Sequence, residues 1–160
     1  MEEKILILVA ALYRQASRST LYALRADKDK RPEMAVFFQA LAESHARQAG
    51  RFLLQTRGIL ADTQENVRIA SEEELPSFVE TFATLHKQAM ATNNKALATG
   101  CRHSEGIERM SRNLLQQLTD DPQVRSYHVC DFCGFISPDS PPESCPTCTA
   151  PKKRFIAITP

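Results

Sequence analysis

The chain has 160 residues, 42% hydrophobic and 24% charged, which is typical of a soluble globular protein and excludes a wholly disordered chain. Its formal net charge of +1 gives no electrostatic basis for binding nucleic acid or an anionic membrane. The longest apolar run, from Ile5 to Leu12, is shorter than the ~20 residues that cross a bilayer. Acidic Glu2 and Glu3 precede that run and do not make the basic start of an export signal, so we expect a cytoplasmic protein.

Four helices are predicted in the first part of the chain. The first covers residues 3–28, which contain no Pro or Gly. Pro32 fits the first turn of the second helix. Apolar and amide side chains at spacings of three and four continue this helix until Gly58. A polar connection is expected over residues 58–70.

The third helix is predicted to begin at a capping box formed by Ser71 and Glu74, with Pro76 in its first turn. It is expected to end near Gly100. The fourth helix is predicted from an apolar spacing that includes Ile107 and Leu114. Four helices with one longer connection between the second and third indicate an antiparallel four-helix bundle with one crossover.

Proline and cysteine are concentrated in the last part of the chain. Six of nine prolines lie in residues 138–160, and four of five cysteines lie in the last 38 residues. We therefore predict two domains, a helical bundle over residues 1–122 and a compact cysteine module over residues 123–160. A small aromatic core is expected in this module from Tyr127, Phe135 and Phe155.

Two Cys-x-x-Cys motifs, separated by eleven residues, carry the strongest chemical signal. Their four thiols are predicted to bind one metal ion tetrahedrally, and the ligands are Cys130, Cys133, Cys145 and Cys148. Gly134 follows the first motif, where a turn without a Cβ lets amide groups point at sulfur. Two reduced dithiols or a disulfide pair are the alternative. We favour the metal because a Pro-rich segment of under 40 residues has too small a core to fold without a cross-link.

Residues 127–158 resemble the rubredoxin-like module at the end of rubrerythrins. The resemblance is carried by Cys-x-x-Cys-Gly-Phe, Pro-Pro-Glu-x-Cys-Pro-x-Cys and the Ala150-Pro151-Lys152 segment. In that family the module follows a ferritin-like four-helix bundle, which is the order predicted here. The resemblance implies one iron in four cysteines and transfer of single electrons. Thr149 departs from the pattern, because true rubredoxins usually carry Gly after the last ligand.

The helical part lacks the ligands that the resemblance would require. Family members hold two irons with carboxylates from all four helices and with Glu-x-x-His pairs, and no Glu here has His three residues later. The aligned ligand positions are Leu12, His45, Gln48, Thr81, Thr84, Leu115 and Leu118. Glu105 and Glu108 form the one Glu-x-x-Glu pair and could be a remnant of such a site. We therefore expect no di-iron centre.

Other polar side chains are assigned structural roles. His45 is expected to be a core histidine that is hydrogen-bonded to Gln48 or a threonine. The single histidines His86 and His103 lack carboxylates at ligand spacing. His128 is expected to be exposed beside the first cysteine motif. The basic run of residues 152–154 could partly offset the negative charge of four thiolates.

The predicted function is one-electron transfer through a mononuclear iron site with four cysteine ligands, with the peroxide-reducing site of the bundle lost. The first alternative is a non-redox interaction or scaffold protein with structural zinc in the same site. A divergent peroxidase using His45 and the Glu105/Glu108 pair is a further alternative, so the sequence leaves open whether the chain is an enzyme. Wide apolar helix faces predict a homodimer through the bundle, and electron transfer implies a redox partner protein.

Overall fold

The computed structural model describes residues 1–56, 60–123 and 125–160. The predicted fold class is confirmed, because the chain is mainly helical and its C-terminal part has a small antiparallel sheet beside the cysteine cluster. It divides into two compact units, Met1–Asp62 and Thr63–Pro160. The domain boundary predicted between residues 122 and 123 stays a prediction. In the described part of the chain, no helix combines the length and apolarity needed to span a bilayer.

The first unit is a hairpin of two long helices, α1 (Glu2–Lys28) and α2 (Pro32–Leu53). Their buried positions are mostly small residues, among them Ala23, Ala35 and Ala49, so the two backbones can approach closely. Pro32 occupies the first turn of α2, as predicted. The helix ends at Leu53, while the predicted end at Gly58 lies outside the described residues.

In the second unit, the helical segment begins earlier in the chain than the sequence predicted. Helix α3 (Thr63–Ile69) continues through one π-helical turn (Ala70–Glu74) into α4 (Leu75–Ala91). The expected polar connection over residues 58–70 is therefore wrong from Thr63 onwards.

The capping box predicted at Ser71 is also wrong, because this hydroxyl donates to the carbonyl of Arg68 at 3.3 Å. The N–H of Leu75 bonds the carbonyl of Ala70, which is the wide i to i−5 turn of a π-helix. This turn lies immediately before Pro76, which has no N–H to continue an α-helical ladder.

Three residues that include two asparagines, Thr92, Asn93 and Asn94, rather than Gly100, separate α4 from the last helix, α5 (Lys95–Asp120). Asn93 takes a left-handed conformation with φ +56°, which Asn tolerates better than most residues. The Asn94 side chain then caps α5 by accepting from the N–H of Leu97 at 3.1 Å. The predicted helix end near Gly100 is therefore wrong, since Gly100 lies inside α5.

The cysteine module is built on three short strands, β1 (Tyr127–Cys130), β2 (Ile136–Pro138) and β3 (Phe155–Ile158). They form an antiparallel sheet in the order β2-β1-β3. The register pairs Val129 with Ile136 on one side and with Ile156 on the other. The first cysteine, Cys130, therefore lies on the central strand β1, which has a partner strand on each side.

A small core joins this module to α5 within the second unit. Ile107 of α5 clusters with Phe135, Cys130 and Cys145, and Phe155 packs against them. The rings of Phe135 and Phe155 meet edge to face with centroids 6.4 Å apart, which confirms the predicted aromatic core for these two rings. The third expected member, Tyr127, instead lines a separate cleft between the sheet and the last turns of α5.

Candidate metal centre

The first hook, residues 130–135, turns directly from the end of β1. The N–H of Gly134 bonds the carbonyl of Cys130 at 2.9 Å, and the N–H of Cys130 bonds the carbonyl of Phe135 at 2.9 Å. Gly134 has φ +84°, in a region that side chains with a Cβ avoid. The glycine turn predicted after the first motif is therefore confirmed, with its geometric reason.

The second hook, residues 145–150, repeats the same backbone pattern. The N–H of Thr149 bonds the carbonyl of Cys145 at 2.9 Å, and the N–H of Cys145 bonds the carbonyl of Ala150 at 2.8 Å. Thr149 stands where the first hook has Gly134, and it too is left-handed, with φ +63°. The departure noted in the sequence therefore places a β-branched residue in a strained backbone conformation.

The two hooks bring four thiols together into the four-cysteine cluster, which consists of Cys130, Cys133, Cys145 and Cys148. All four Sγ atoms lie within 4.8 Å of one another. The separations are 3.7 Å for Cys130 and Cys148 and 3.6 Å for Cys133 and Cys145. A tetrahedral ion with metal–sulfur bonds of about 2.3 Å requires sulfur–sulfur edges of about 3.8 Å. The cluster therefore fits one tetrahedral ion, and it contains no disulfide, which would need about 2.05 Å.

Burial and backbone amides act in opposite directions on these thiols. Burial raises the pKa of Cys133 and of Cys148, although each sulfur also accepts a backbone N–H, from Phe135 and Ala150 respectively. Burial also opposes ionisation of Cys145, but the N–H groups of Cys148 and Thr147, together with the neighbouring thiols of Cys148 and Cys133, lower its pKa. Amide groups thus point at sulfur as predicted, and a bound cation would complete the stabilisation of the thiolates.

Carboxylates largely neutralise the basic run of residues 152–154. The ammonium group of Lys152 lies 2.8 Å from Glu143, and Arg154 lies 2.6 Å from Asp131. Among the described residues, Lys153 alone of the three forms no ion pair. The charge offset expected from this run is therefore much smaller than three cations would give.

The helices place the aligned ligand positions in different surroundings. His45 is half-buried, and its Nδ1 atom is buried without a hydrogen-bond partner. The expected bond between His45 and Gln48 is absent at this atom, and the Gln48 amide donates to Ser44 at 3.2 Å. Thr81 and Thr84 lie on α4. Among the described residues, the four-cysteine cluster is the one place where three or more side chains able to bind a metal lie close together.

The glutamate pair on α5 is divided between two environments. Glu105 accepts from the guanidinium of Arg109 at 2.8 Å, a surface ion pair one helical turn apart. Burial raises the pKa of Glu108. The structure therefore gives this pair two different roles rather than one shared site.

The remaining histidines occupy structural positions. His86 meets the carbonyl of Ala98 through Nδ1 at 2.8 Å, which links α4 to α5. The expectation that His128 is exposed is wrong, because it is half-buried on β1 and its Nδ1 atom is buried without a partner. Its position on the central strand explains the error, since both edges of β1 are paired.

Sequence reasoning did not identify Ile107 as part of the metal centre. Its side chain is 8% exposed and belongs to the same buried cluster as Cys130 and Cys145. The apolar spacing of the last helix indicated a buried position, but periodicity does not say which neighbour covers a face. The contact means that one helix supports the sulfur site from outside the cysteine module.

Comparison with known proteins agrees with this geometry. The family model of the rubrerythrin rubredoxin-like domain matches residues 128–156. Nigerythrin in a mixed-valence state and in a partially reduced state has a similar fold, with TM-scores of 0.52 and 0.51. Each alignment has 17% identity and covers 98% of this chain and 86% of the other. No curated protein matches the chain.

The fold and the site together define a metal-binding protein with a helical body and a C-terminal rubredoxin-like domain. More particularly, the predicted resemblance to rubrerythrins is confirmed, since residues 128–156 match the rubredoxin-like domain of that family and the fold is similar to that of nigerythrin. The four-cysteine cluster is compatible with iron.

Proposed function

We propose that the protein is a one-electron carrier that holds a single iron ion in the four-cysteine cluster. The observation that carries this proposal is the convergence of four thiols at tetrahedral spacing within 4.8 Å. Sulfur donors in this arrangement suit iron or zinc, and the matched rubredoxin-like domain favours iron. Bound iron would supply a ferrous/ferric couple that exchanges one electron.

The protein side chains and amides prepare the site for such exchange. Cys130 and Cys145 are each 1% exposed, so the protein excludes water from one side of the cluster. Cys133 and Cys148 are half-buried, which leaves a short path from sulfur to a docked redox protein. Amide donors fixed by both hooks hold the sulfur charge without rearrangement, and this favours rapid electron exchange.

The helical part is proposed to contain no di-iron centre and no peroxide-reducing activity. Apolar or hydroxyl side chains stand at most of the positions aligned with the family ligands, including Leu12, Thr81 and Thr84. His45 and Gln48 supply too few donors to hold two irons. The activity of intact rubrerythrins is therefore not carried over to this chain.

The carrier is proposed to act in the cytoplasm as a homodimer that pairs through its helices. Large apolar side chains remain exposed on the first unit, with Ile7 and Leu21 each 63% exposed and Phe37 58% exposed. Apolar surface of this kind is commonly covered by a partner subunit.

A structural-zinc scaffold is the second candidate. The same exposed apolar side chains favour it, because an interaction protein needs such surface while a carrier needs only a small contact. In that case the four-cysteine cluster would hold the module in shape, and binding would reside in the helices.

Metal content and visible absorption of the protein purified from its own source test these proposals together. One iron per chain with ferric-thiolate bands supports the carrier. One zinc and no colour would replace the carrier with the scaffold. Two further irons per chain that survive dialysis would contradict the absence of a di-iron centre.

A further inference from the structure

The two hooks share a backbone pattern but differ in how they are supported. Cys130 ends the central strand β1 and pairs with Phe155 of β3. The next residue, Asp131, bonds Arg154 through its backbone N–H at 2.9 Å and through an ion pair. The first hook is therefore continuous with a sheet whose central strand is paired along both edges.

The second hook lies outside that sheet. On its N-terminal side, Ser144 forms an isolated bridge with Pro151. The preceding residue, Glu143, accepts from the backbone N–H of Lys152 at 3.0 Å and forms an ion pair with its ammonium group at 2.8 Å, so each hook has one ion pair and the difference lies in the backbone bonds of the sheet. Fewer backbone bonds therefore have to break to open this hook, and such segments open locally more often than strands in a sheet.

Thr149 adds backbone strain to the second hook. Its φ of +63° matches the left-handed turn that Gly134 makes at +84° in the first hook. A left-handed conformation brings Cβ close to the backbone and is costly for most residues other than Gly, and more so for a β-branched one. The closed second hook is thus strained at a position where the closed first hook is not.

Two hydroxyl groups hold the strained turn in place. Thr149 donates from Oγ1 to the carbonyl of Cys148 at 2.6 Å, and Ser144 donates to the carbonyl of Thr149 at 3.2 Å. Both side chains are exposed, so water competes for these bonds once the turn loosens.

We propose that metal enters and leaves the four-cysteine cluster through the second hook, and that Thr149 sets how readily this hook opens. On release, the thiolates of Cys145 and Cys148 give up the ion first, donor atoms of a chelator take their place, and no electron is transferred. The inference rests on the cluster holding a metal and is independent of whether that metal is iron. It can therefore be tested on zinc-loaded protein even if the electron-carrier proposal fails.

The first test compares matched amides in the full-length, zinc-loaded protein by hydrogen exchange and NMR. The N–H of Thr149 corresponds to that of Gly134, and the N–H of Ala150 to that of Phe135, because each pair has equivalent bonding partners. After correction for intrinsic rates, the amides of the second hook should exchange faster. Equal protection of the two hooks, or faster exchange in the first, would overturn the proposal.

The second test measures zinc transfer to excess pyridylazoresorcinol. Thr149→Gly and Thr149→Ala both lack the hydroxyl, but only Ala retains the left-handed strain. The Gly variant should release zinc about fivefold more slowly than the Ala variant. Thr147, whose φ is not positive, is the control position. There the Gly variant should not release zinc more slowly than the Ala variant. An equal release rate for the two variants at position 149 would contradict a role for Thr149.

The last comparison places the same strain in the first hook. Gly134→Ala should lower the stability of the module but leave the zinc release rate within about twofold of the unaltered protein, because release passes through the other hook. If Gly134→Ala raises the zinc release rate by the same factor that separates Thr149→Ala from Thr149→Gly, the two hooks are equivalent and the proposal is wrong.

Discussion

Cys145 shows how single residues determine the metal site. It is 1% exposed, accepts two backbone N–H groups and lies 3.6 Å from the sulfur of Cys133. A hydroxyl at this position would be a poorer donor to a soft metal ion and could not complete a sulfur tetrahedron. Because the apolar content of the module is small, the metal also supplies folding free energy.

Cys145→Ser should lower metal stoichiometry below one per chain and make residues 123–160 sensitive to protease. Elemental analysis and limited proteolysis measure the two effects. Cys101→Ser is the matched control, because Cys101 is buried on α5 and lies outside the four-cysteine cluster, so it should retain full metal content. A Cys145→Ser protein with full metal content and unchanged protease resistance would refute the assignment.

Glu108 gives a prediction about pH. Burial raises its pKa, so its protonated form is favoured in the folded state. The stability gained from protonation is present below the ordinary carboxyl pKa and is lost as the pH rises through the raised folded value. Glu108→Gln should therefore stabilise the protein at neutral pH, by about 0.5 kcal/mol or less, and flatten its pH dependence.

Denaturant titrations at acidic and neutral pH measure this effect. Glu105→Gln is the control, because it removes the ion pair with Arg109 and should not stabilise the protein. Destabilisation by Glu108→Gln at neutral pH would show that the ionised carboxylate has a favourable partner, as a divergent metal site would provide.

At the scale of elements, α5 connects the helical and cysteine-bearing parts of the second unit. Its Ile107 side chain is buried in the cluster that contains Cys130 and Phe135. Large-to-small substitution at such a position removes apolar contacts and leaves a cavity. The stability of the sulfur site therefore depends in part on a helix that contributes no ligand.

Ile107→Ala should destabilise the second unit by about 2–4 kcal/mol and increase proteolysis of the cysteine module. Met110→Ala is the control on the same helix, because Met110 is 41% exposed and its loss should cost under about 1 kcal/mol. Denaturant unfolding of the metal-loaded protein gives both values. Equal effects of the two substitutions would mean that Ile107 does not support the module.

Elements fixed by local chemistry were predictable from the sequence, and others were not. The two Cys-x-x-Cys motifs and Gly134 specify their turns within a few residues, so the sulfur site could be predicted. The start of the third helix could not be predicted from Ser71 and Glu74. These two residues have the spacing of a capping box, but here they lie inside a helix, in the π-helical turn that precedes Pro76. Gly100 misled in a similar way, since Asn93 and Asn94 supply the turn and the cap.

At the scale of the whole molecule, exposed apolar surface predicts self-association. Phe37 of α2 and Phe78 of α4 are 58% and 52% exposed, an unfavourable state for aromatic rings in water. Light scattering at micromolar concentration should give about twice the 17.9 kDa mass of one chain. Phe37→Glu should shift the equilibrium toward monomer, while Lys30→Glu, a charge change on an exposed residue, should not. A monomer mass for the unaltered protein would reject the predicted dimer.

Reduction of the native protein by dithionite, followed in the visible range, tests the central claim most directly. If the four-cysteine cluster holds redox-active iron, the ferric-thiolate bands of protein purified from its own source should bleach on reduction and return in air. Elemental analysis of the same sample should show about one iron per chain, because the cluster can hold one tetrahedral ion. A colourless sample that contains only zinc would contradict the electron-carrier function and leave the cysteines with a structural role.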